Sequence, residues 1–485
     1  MPKTVGDKRW LALYLLCLGE LMIVLDTTIV NVALPSIRAD LRFTETSLVW
    51  VVNAYMLTYA GFLLLGGRLG DFFGQRRMFL AGLTLFTLAS LVCGMANSQG
   101  LLIAARAVQG LGGAVVSAIA LSLIMNLFAE PAEQAKAMGI YGFVCAAGGS
   151  IGVLVGGLLT GAFSWHWIFL VNLPIGVAVY ALCLVLLPED ATADRGKSAG
   201  GRLDVAGAVT VTLSLMLAVY AIVNGNEAGW LSAQTLGLLL GAATLFAIFI
   251  GIEAKVRNPL MPLGLFRLCN IAVANVVGVL WAAGMFAWFF ISALYMQLVL
   301  DYSPLQIGLA FLPSNIIMAA FSLGLSAWMV MRFGLRLPVA AGMLLAALGL
   351  ALFAVSPVEG RFAVHVLPGM LLLGLGCGMA LNPVLLAAMS DVGPGESGLA
   401  SGIVNTAFMM GGALGLAVLA SLAAARTGVL HASGAGVPEA LTGGYQLAFA
   451  AGAMFAAIAA LIAGLLRAGN AGQKGELSCG PTTAG

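Results

Sequence analysis

Long apolar runs broken by short polar interruptions dominate the chain from residue 10 to residue 467. A bilayer core about 30 Å thick takes about 20 apolar residues per helix. That rule predicts spans near 10–34, 46–69, 77–96, 100–126, 137–162, 165–187, 204–224, 233–253, 270–298, 304–331, 336–355, 363–389, 398–424 and 445–467. Most gaps between them are short, and two carry turn chemistry, Pro188 to Arg202 and Asn258 to Arg267. The first run follows a basic start and could be mistaken for a cleaved leader. No small-x-small site precedes Asp26 and the apolar stretch continues to Leu34, so it is read as a retained span. Residues 468–485 are small and polar and are expected to form a disordered cytoplasmic tail.

Composition narrows the class. The chain is 61% hydrophobic and 9% charged, against roughly 25% charged in a soluble domain; so few charges cannot cover a water-facing surface of this size. The net charge of +2 offers no basic face for nucleic acid. Seven scattered cysteines and three distant histidines show no metal-ligand spacing, so no metal and no cofactor are expected, and the cysteines are read as small packing residues. With both termini cytoplasmic, inner loops and tails hold 17 Lys and Arg and outer loops hold 4, with Arg106 left inside a span. This bias fits the positive-inside rule and supports an even number of helices.

The two ends of the chain echo each other. Gly139, Gly148 and Gly152 match Gly402, Gly411 and Gly415 at an offset of 263, Gly110 and Gly112 match Gly374 and Gly376 at 264, and Gly74 and Arg76 match Gly334 and Arg336 at 260. Such ordered matches predict two parallel halves of six helices with two helices inserted between them. The division expected is a bundle over 1–187, a linker and inserted pair over 188–257, a second bundle over 258–467 and the tail over 468–485. Transporters built from repeats bind substrate near the midplane between halves and rock one half against the other.

Leu25-Asp26-Thr27-Thr28-Ile29-Val30-Asn31-Val32-Ala33-Leu34-Pro35 resembles the first-helix signature of fourteen-helix drug:proton antiporters of the major facilitator superfamily, the EmrB/QacA type. Gly67-Arg68-Leu69-Gly70-Asp71-Phe72-Phe73-Gly74-Gln75-Arg76-Arg77 resembles that superfamily's loop between helices 2 and 3, and Arg106-Ala107-Val108-Gln109-Gly110-Leu111-Gly112-Gly113 its helix 4 motif. Gly152-Val153-Leu154-Val155-Gly156-Gly157 is similar to the helix 5 antiporter motif, and Trp165 to Gly176 to the start of helix 6. The chain departs from the pattern at Val153, where proline is usual, and at His166, where arginine is frequent. In the second half Met331 stands where Asp71 would repeat and Met370 where Arg106 would. The resemblance implies an all-α integral membrane protein with the major facilitator fold, two six-helix bundles plus two inserted helices.

Ionisable groups inside a span are costly and therefore candidates for function. Asp26 lies nine residues before Pro35 and Arg106 six residues after Gly100, roughly 13 Å and 9 Å below one face at 1.5 Å per residue. If both helices line the cavity, as the resemblance implies, the two can pair, either as a proton-coupling site or as a structural tie. Glu20, about 9 Å deeper on the same helix, is a second proton carrier, a contact for a cationic substrate, or a neutral group at a helix interface. The resemblance makes Gly70, Asp71, Gly74 and Arg76 a conformational latch. It makes Gly148, Gly152, Gly156 and Gly157 the antiporter motif, for which tight helix packing is an equal reading. Glu20, Asn31, Trp281, Tyr295 and Asn405 are candidates for the substrate cavity, although the aromatic run Trp281, Phe286, Trp288, Phe289, Phe290 and Tyr295 is read more readily as lipid-facing.

The function expected is proton-coupled efflux of lipophilic, cationic or neutral, drugs by alternating access, with antibiotic resistance as its consequence. Export of one endogenous lipid or metabolite, or proton symport, stands as the alternative. No nucleotide loop or nucleophile–base pair suggests an enzyme, and Gly110 to Gly113 lies within a span rather than in a phosphate cradle. The partners expected are a small lipophilic substrate, protons and membrane lipid, with a monomer as the working unit and room for accessory export partners. The place expected is a bacterial-type cytoplasmic membrane.

Overall fold

A computed structural model describes residues 4–128, 130–187, 204–256, 259–321, 325–391 and 397–466. The tail expected over 468–485 and the whole 188–202 gap lie outside the described residues, as does the side chain of Asp71. Every regular element among the described residues is helical. The first half comprises α1 (Thr4–Leu41), α2 (Glu45–Phe73), α3 (Gln75–Gly94), α4 (Gln99–Leu127), α5 (Pro131–Ala162), the short α6 (Trp167–Leu170) and α7 (Asn172–Leu186). A hairpin of α8 (Val205–Ala228) and α9 (Ala233–Glu253) follows. Then come α10 (Cys269–Leu298), α11 (Pro304–Ala320), α12 (Ser326–Phe333), α13 (Arg336–Phe353), α14 (Leu367–Met389), α15 (Ser397–Ala432) and α16 (Val437–Ala463).

Among the described residues, twelve helical segments are long and apolar enough to cross a membrane, and two shorter apolar helices, Ala147–Ala162 and Pro304–Ala320, sit where the fifth and tenth spans are predicted. The tenth span is described as α11 and α12, with residues 322–324 between them outside the described residues. The sixth is interrupted at Val171. Pro174 has no N–H to offer the Leu170 carbonyl one turn earlier, which explains the interruption. Conversely, α1 runs through Pro35 to Leu41, seven residues past the predicted end near Leu34.

Local chemistry sets the turns. Thr44 and Ser47 form a reciprocal capping box at the start of α2, as Ser303 and Gln306 do at α11. Gly74 (φ 95°) and Gly334 (φ 73°) join α2 to α3 and α12 to α13 in a backbone conformation that side-chain-bearing residues rarely adopt. These two glycines are repeat partners, and the packing repeats with them. Gly152 lies against Leu25 of α1, and its counterpart Gly415 lies against Ala283 of α10; Gly112 meets Phe86 of α3, and Gly376 meets Ala346 of α13. The offsets in the sequence thus correspond to equivalent helix crossings.

The described chain begins in α1 and ends just after α16 at one end of the bundle, here the terminus side; the opposite end is the far side. On the far side α5 and α11 meet backbone to backbone. A side chain at Gly157 would run into the Pro304 carbonyl, and one at Gly308 into the Val153 carbonyl. Along the middle, Asn53 on α2 donates its Nδ2 to the Ala413 carbonyl of α15 at 2.9 Å. The α8–α9 hairpin packs outside this seam, where Asn226 Nδ2 donates to the Ser421 carbonyl of α15 at 2.8 Å.

Candidate functional site

Asp26 and Arg106 meet inside the first half. Arg106 Nη1 donates to Asp26 Oδ2 at 2.5 Å, and the two side chains are 1% and 0% exposed. The pairing expected from the sequence is present, but its setting is the interior of the bundle of α1, α2, α3, α4 and α7, with both groups sealed from any open cavity. The level comparison from helix ends also needs correction. Because α1 ends at Leu41, Asp26 lies roughly 22 Å from that end at 1.5 Å per residue.

Six further groups complete the arrangement. Gln109 Nε2 donates to Asp26 Oδ1 at 2.8 Å, and Asn172 Nδ2 donates to the same oxygen at 3.0 Å. Arg106 Nε donates to the Val51 carbonyl at 2.9 Å and Nη1 also reaches Gln109 Oε1 at 2.7 Å. Gln109 Nε2 reaches Ser90 Oγ at 2.8 Å. The guanidinium lies over the Tyr55 ring, 4.4 Å from its centroid, and 5.6 Å from that of Phe169. An ionised carboxylate only accepts, and every contact to Asp26 is a donation. A cation–π contact over a desolvated ring adds about 2 kcal/mol to the holding of the arginine.

Gln109 and Asn172 were not singled out in the sequence, yet both carried a signal. Gln109 is three residues from Arg106, on the same helix face, and Asn172 is an amide inside an apolar span beside the break that Pro174 causes. Ser90, Tyr55 and the Val51 carbonyl had none, because only the fold brings them to α4.

Glu20 is 5% exposed and its Oε2 has no hydrogen-bond partner among the described residues. Ser117 of α4 and Tyr141 of α5 are the polar groups beside it, so it faces the α1–α4–α5 junction rather than Asp26. Gly148, Gly152 and Gly156 press on α1 at Leu21 and Val24, Leu25, and Ile29, while Gly157 presses on α11. Gly70 packs on Ile119 of α4, and Arg76 Nη2 donates to the Leu184 carbonyl at the end of α7 at 2.8 Å. A cation at a helix C-terminus meets the negative end of its dipole; this contact stays within the first half.

The remaining cavity candidates separate. Asn31 Nδ2 donates to its own helix at the Thr27 carbonyl, Trp281 is buried with its Nε1 unpartnered, and Asn405 is half-buried on α15. Tyr295 donates its hydroxyl to the Pro357 carbonyl at 2.7 Å, tying α10 to the loop before α14. That bond uses the hydroxyl's proton in a tie within the second half. The lipid-facing reading of the aromatic run is also overturned: Trp281, Phe286, Trp288, Phe289, Phe290 and Tyr295 are all buried. α10 is enclosed by α1, α11, α14, α15 and α16, so its aromatics fill protein interior. A cavity of about 610 Å³ opens on the far side between Arg38, Thr44, Asn226, Glu227 and His431, away from Asp26 and Glu20. Among the described residues no cluster of His, Cys, Asp and Glu is arranged to hold a metal ion.

Known proteins place this geometry. The chain is 37% identical over 455 residues to the puromycin resistance protein pur8 of Streptomyces alboniger, covering 92% of this chain and 89% of that one. It is 38% identical over 459 residues to the cephamycin export protein CmcT of Amycolatopsis lactamdurans, covering 94% and 92%. In fold it is similar to a bacterial homologue of the human lysosomal transporter Spinster, solved inward-facing and unoccupied, with a TM-score of 0.66 at 17% identity over 96% of this chain and 98% of that one. The profile of the Major Facilitator Superfamily matches residues 16–416, which contain the whole Asp26–Arg106 arrangement. The repeat, the helical architecture and these matches agree: the chain is a multi-pass membrane protein and a transporter, not an enzyme, and it belongs to the Major Facilitator Superfamily.

Proposed function

We propose that the protein exports lipophilic, antibiotic-like small molecules in exchange for protons, by alternating access across a bacterial cytoplasmic membrane. The observation that carries the reading is the buried Asp26 carboxylate, held by Arg106, Gln109 and Asn172 on two other helices. The resistance and export roles named for the two relatives support the direction of transport. In this reading the chain has fourteen spans with both termini cytoplasmic, two moving halves over 1–187 and 258–467, and the inserted pair within 188–257.

Asp26 is the proton carrier. Its contacts are all donors, three on a carboxylate with about four lone-pair sites, so a proton can join it and one donor can then withdraw. Asn172, at the break between α6 and α7, is the donor freest to do so, while Arg106 stays anchored by Val51 and Tyr55. A charge crossing 100 mV is worth about 2.3 kcal/mol, so a modest change in this network is enough to couple transport to the gradient. Glu20, with one oxygen unpartnered, serves as a second carrier or as the counter-charge for a cationic substrate. Asn31, Trp281 and Asn405 contribute to the substrate path, the helix 5 glycines let α5 slide on α1, and Gly70, Asp71, Gly74 and Arg76 act as the latch.

Everted vesicles loaded with a fluorescent lipophilic dye test this. Accumulation is expected to need an imposed proton gradient and to vanish in Asp26→Asn while the protein still folds. Accumulation that survives collapse of the gradient refutes proton coupling, and normal transport by Asp26→Asn removes Asp26 from the mechanism. The name of the cephamycin relative favours a second reading, export of one endogenous product. A substrate panel in a strain lacking other pumps separates the two, since a narrow exporter protects against one chemical class alone.

A further inference from the structure

The α8–α9 hairpin carries two buried acids that drug–proton exchange at Asp26 leaves unused. Asp204 caps α8, its Oδ1 accepting from the Gly207 amide at 2.8 Å. Glu253 closes α9, its Oε2 accepting from the Met261 amide at 3.0 Å. The two residues are 5% and 3% exposed. One oxygen on each, Asp204 Oδ2 and Glu253 Oε1, is buried with no hydrogen-bond partner among the described residues. Both of these oxygens lie over the bare Cα of Gly207, within hydrogen-bonding reach of each other.

Two ionised carboxylates cannot satisfy that geometry, because each is acceptor-only. A single proton resolves it: one acid becomes a carboxyl and donates to the other, and the outer oxygens keep their amide donors. Acids that share a site hold one proton between them for this reason. From the elements packed around the pair, Arg68 of α2 is the cation that acts on Glu253, and Asp204 of α8 is the anion. Lys255, two residues further along, is exposed. Arg68 is itself engaged, its Nη2 donating to the Pro259 carbonyl at 3.1 Å.

We propose that Asp204 and Glu253 form a second proton-binding site, separate from Asp26, that holds one shared proton and thereby clamps the segment 259–262 to the hairpin. The segment is the physical lead into α10 and the second half. Glu253 grips it through the Met261 amide, and Arg68, in the turn region at the end of α2, grips it through the Pro259 carbonyl. Loss of the proton sets two negative charges against each other over Gly207 and frees the segment. The site lies at the terminus-side end of α8 and α9, so it exchanges its proton with the solution on that side. The hairpin thereby gains a role: it reports the proton activity of one compartment to the connection between the halves.

The test is infrared spectroscopy of the full-length protein in lipid, carrying Asp26→Asn and Glu20→Gln so that those acids are silent. A C=O band of a protonated, hydrogen-bonded carboxyl is expected at acidic and neutral pH and should fade as pH rises. Glu253→Gln removes it. Asp204→Asn removes it as well, because the asparagine amide donates to an ionised Glu253; asparagine also caps a helix as well as aspartate does, so the fold is kept. A band that survives Asp204→Asn assigns the proton to Glu253 alone and overturns the shared site, and spectra unchanged in both variants overturn it entirely. Hydrogen exchange at the Met261 amide gives a second readout. Corrected for the intrinsic rate, protection should fall with pH in the parent and stay level in Glu253→Gln; equal pH dependence in both refutes the clamp. Neither measurement uses transport, so this site can fail while the exporter reading stands, and the reverse.

Discussion

Removing Arg106 alone and removing it together with Asp26 should have different consequences. In Arg106→Met the Asp26 carboxylate keeps Gln109 and Asn172 but loses its only cation, and the Val51 carbonyl loses its donor. Stranding one partner of a buried pair costs roughly 3–5 kcal/mol. In Asp26→Asn/Arg106→Met no charge remains, and the cost reduces to lost hydrogen bonds at about 1 kcal/mol each. The double variant should therefore be more stable than Arg106→Met, with a coupling energy of roughly 2–3 kcal/mol. Cys93, buried 3.7 Å from Gln109 Oε1, supplies the assay, since its reaction with a thiol dye during denaturation reports the opening of this bundle. Transport should stay absent in the double variant even though stability returns. Additive losses would refute the account of the pair as a mutually compensating charge network; a double variant that regains gradient-driven transport would make it a structural tie only.

On α5, Gly156→Ala brings a methyl group 2.8 Å from the Ile29 carbonyl, whereas Gly161 has nothing within 4 Å. The first should cost about 1–3 kcal/mol by overpacking, and Gly161→Ala should be neutral or stabilising by about 0.5 kcal/mol, as thermal unfolding of the purified variants will show. Gly110→Ala and Gly374→Ala, which crowd α2 and α11 at equivalent crossings, should lower the unfolding midpoint by similar amounts; a harmless change at one of them would break the repeat as an energetic statement. Tyr295→Phe removes the bond to Pro357 and should cost about 1 kcal/mol while leaving the substrate profile unchanged; a changed profile would return Tyr295 to the cavity.

Span positions and the repeat were legible because both follow from local rules, a bilayer's thickness and the spacing of glycines where helices cross. The Asp26–Arg106 pair was legible because charge is rare inside an apolar run. What the sequence hid was the direction each side chain takes. Periodicity does not separate a lipid-facing aromatic from one enclosed by five helices, so the α10 aromatics were misjudged. The break at Val171 was implicit in Pro174, but its importance depends on Asn172 pointing at Asp26, which is a tertiary fact. Asp204 and Glu253 escaped notice because they stand at helix ends, where an acid is unremarkable until its partner is seen.

The far-side meeting of α5 and α11 is made of bare backbone, Gly157 on Pro304 and Gly308 on Val153. At these two crossings the contact is backbone on backbone, with no rotamer to unlock there as it parts. Dispersion across a smooth contact falls off within an ångström or so, so separation is abrupt and reclosure needs no search for a matching arrangement. Neither glycine offers a side chain whose identity could be tuned to a cargo. A lineage of such proteins can therefore alter what it carries, by substitutions along the interior path, without retuning the closure that keeps the two sides of the membrane apart.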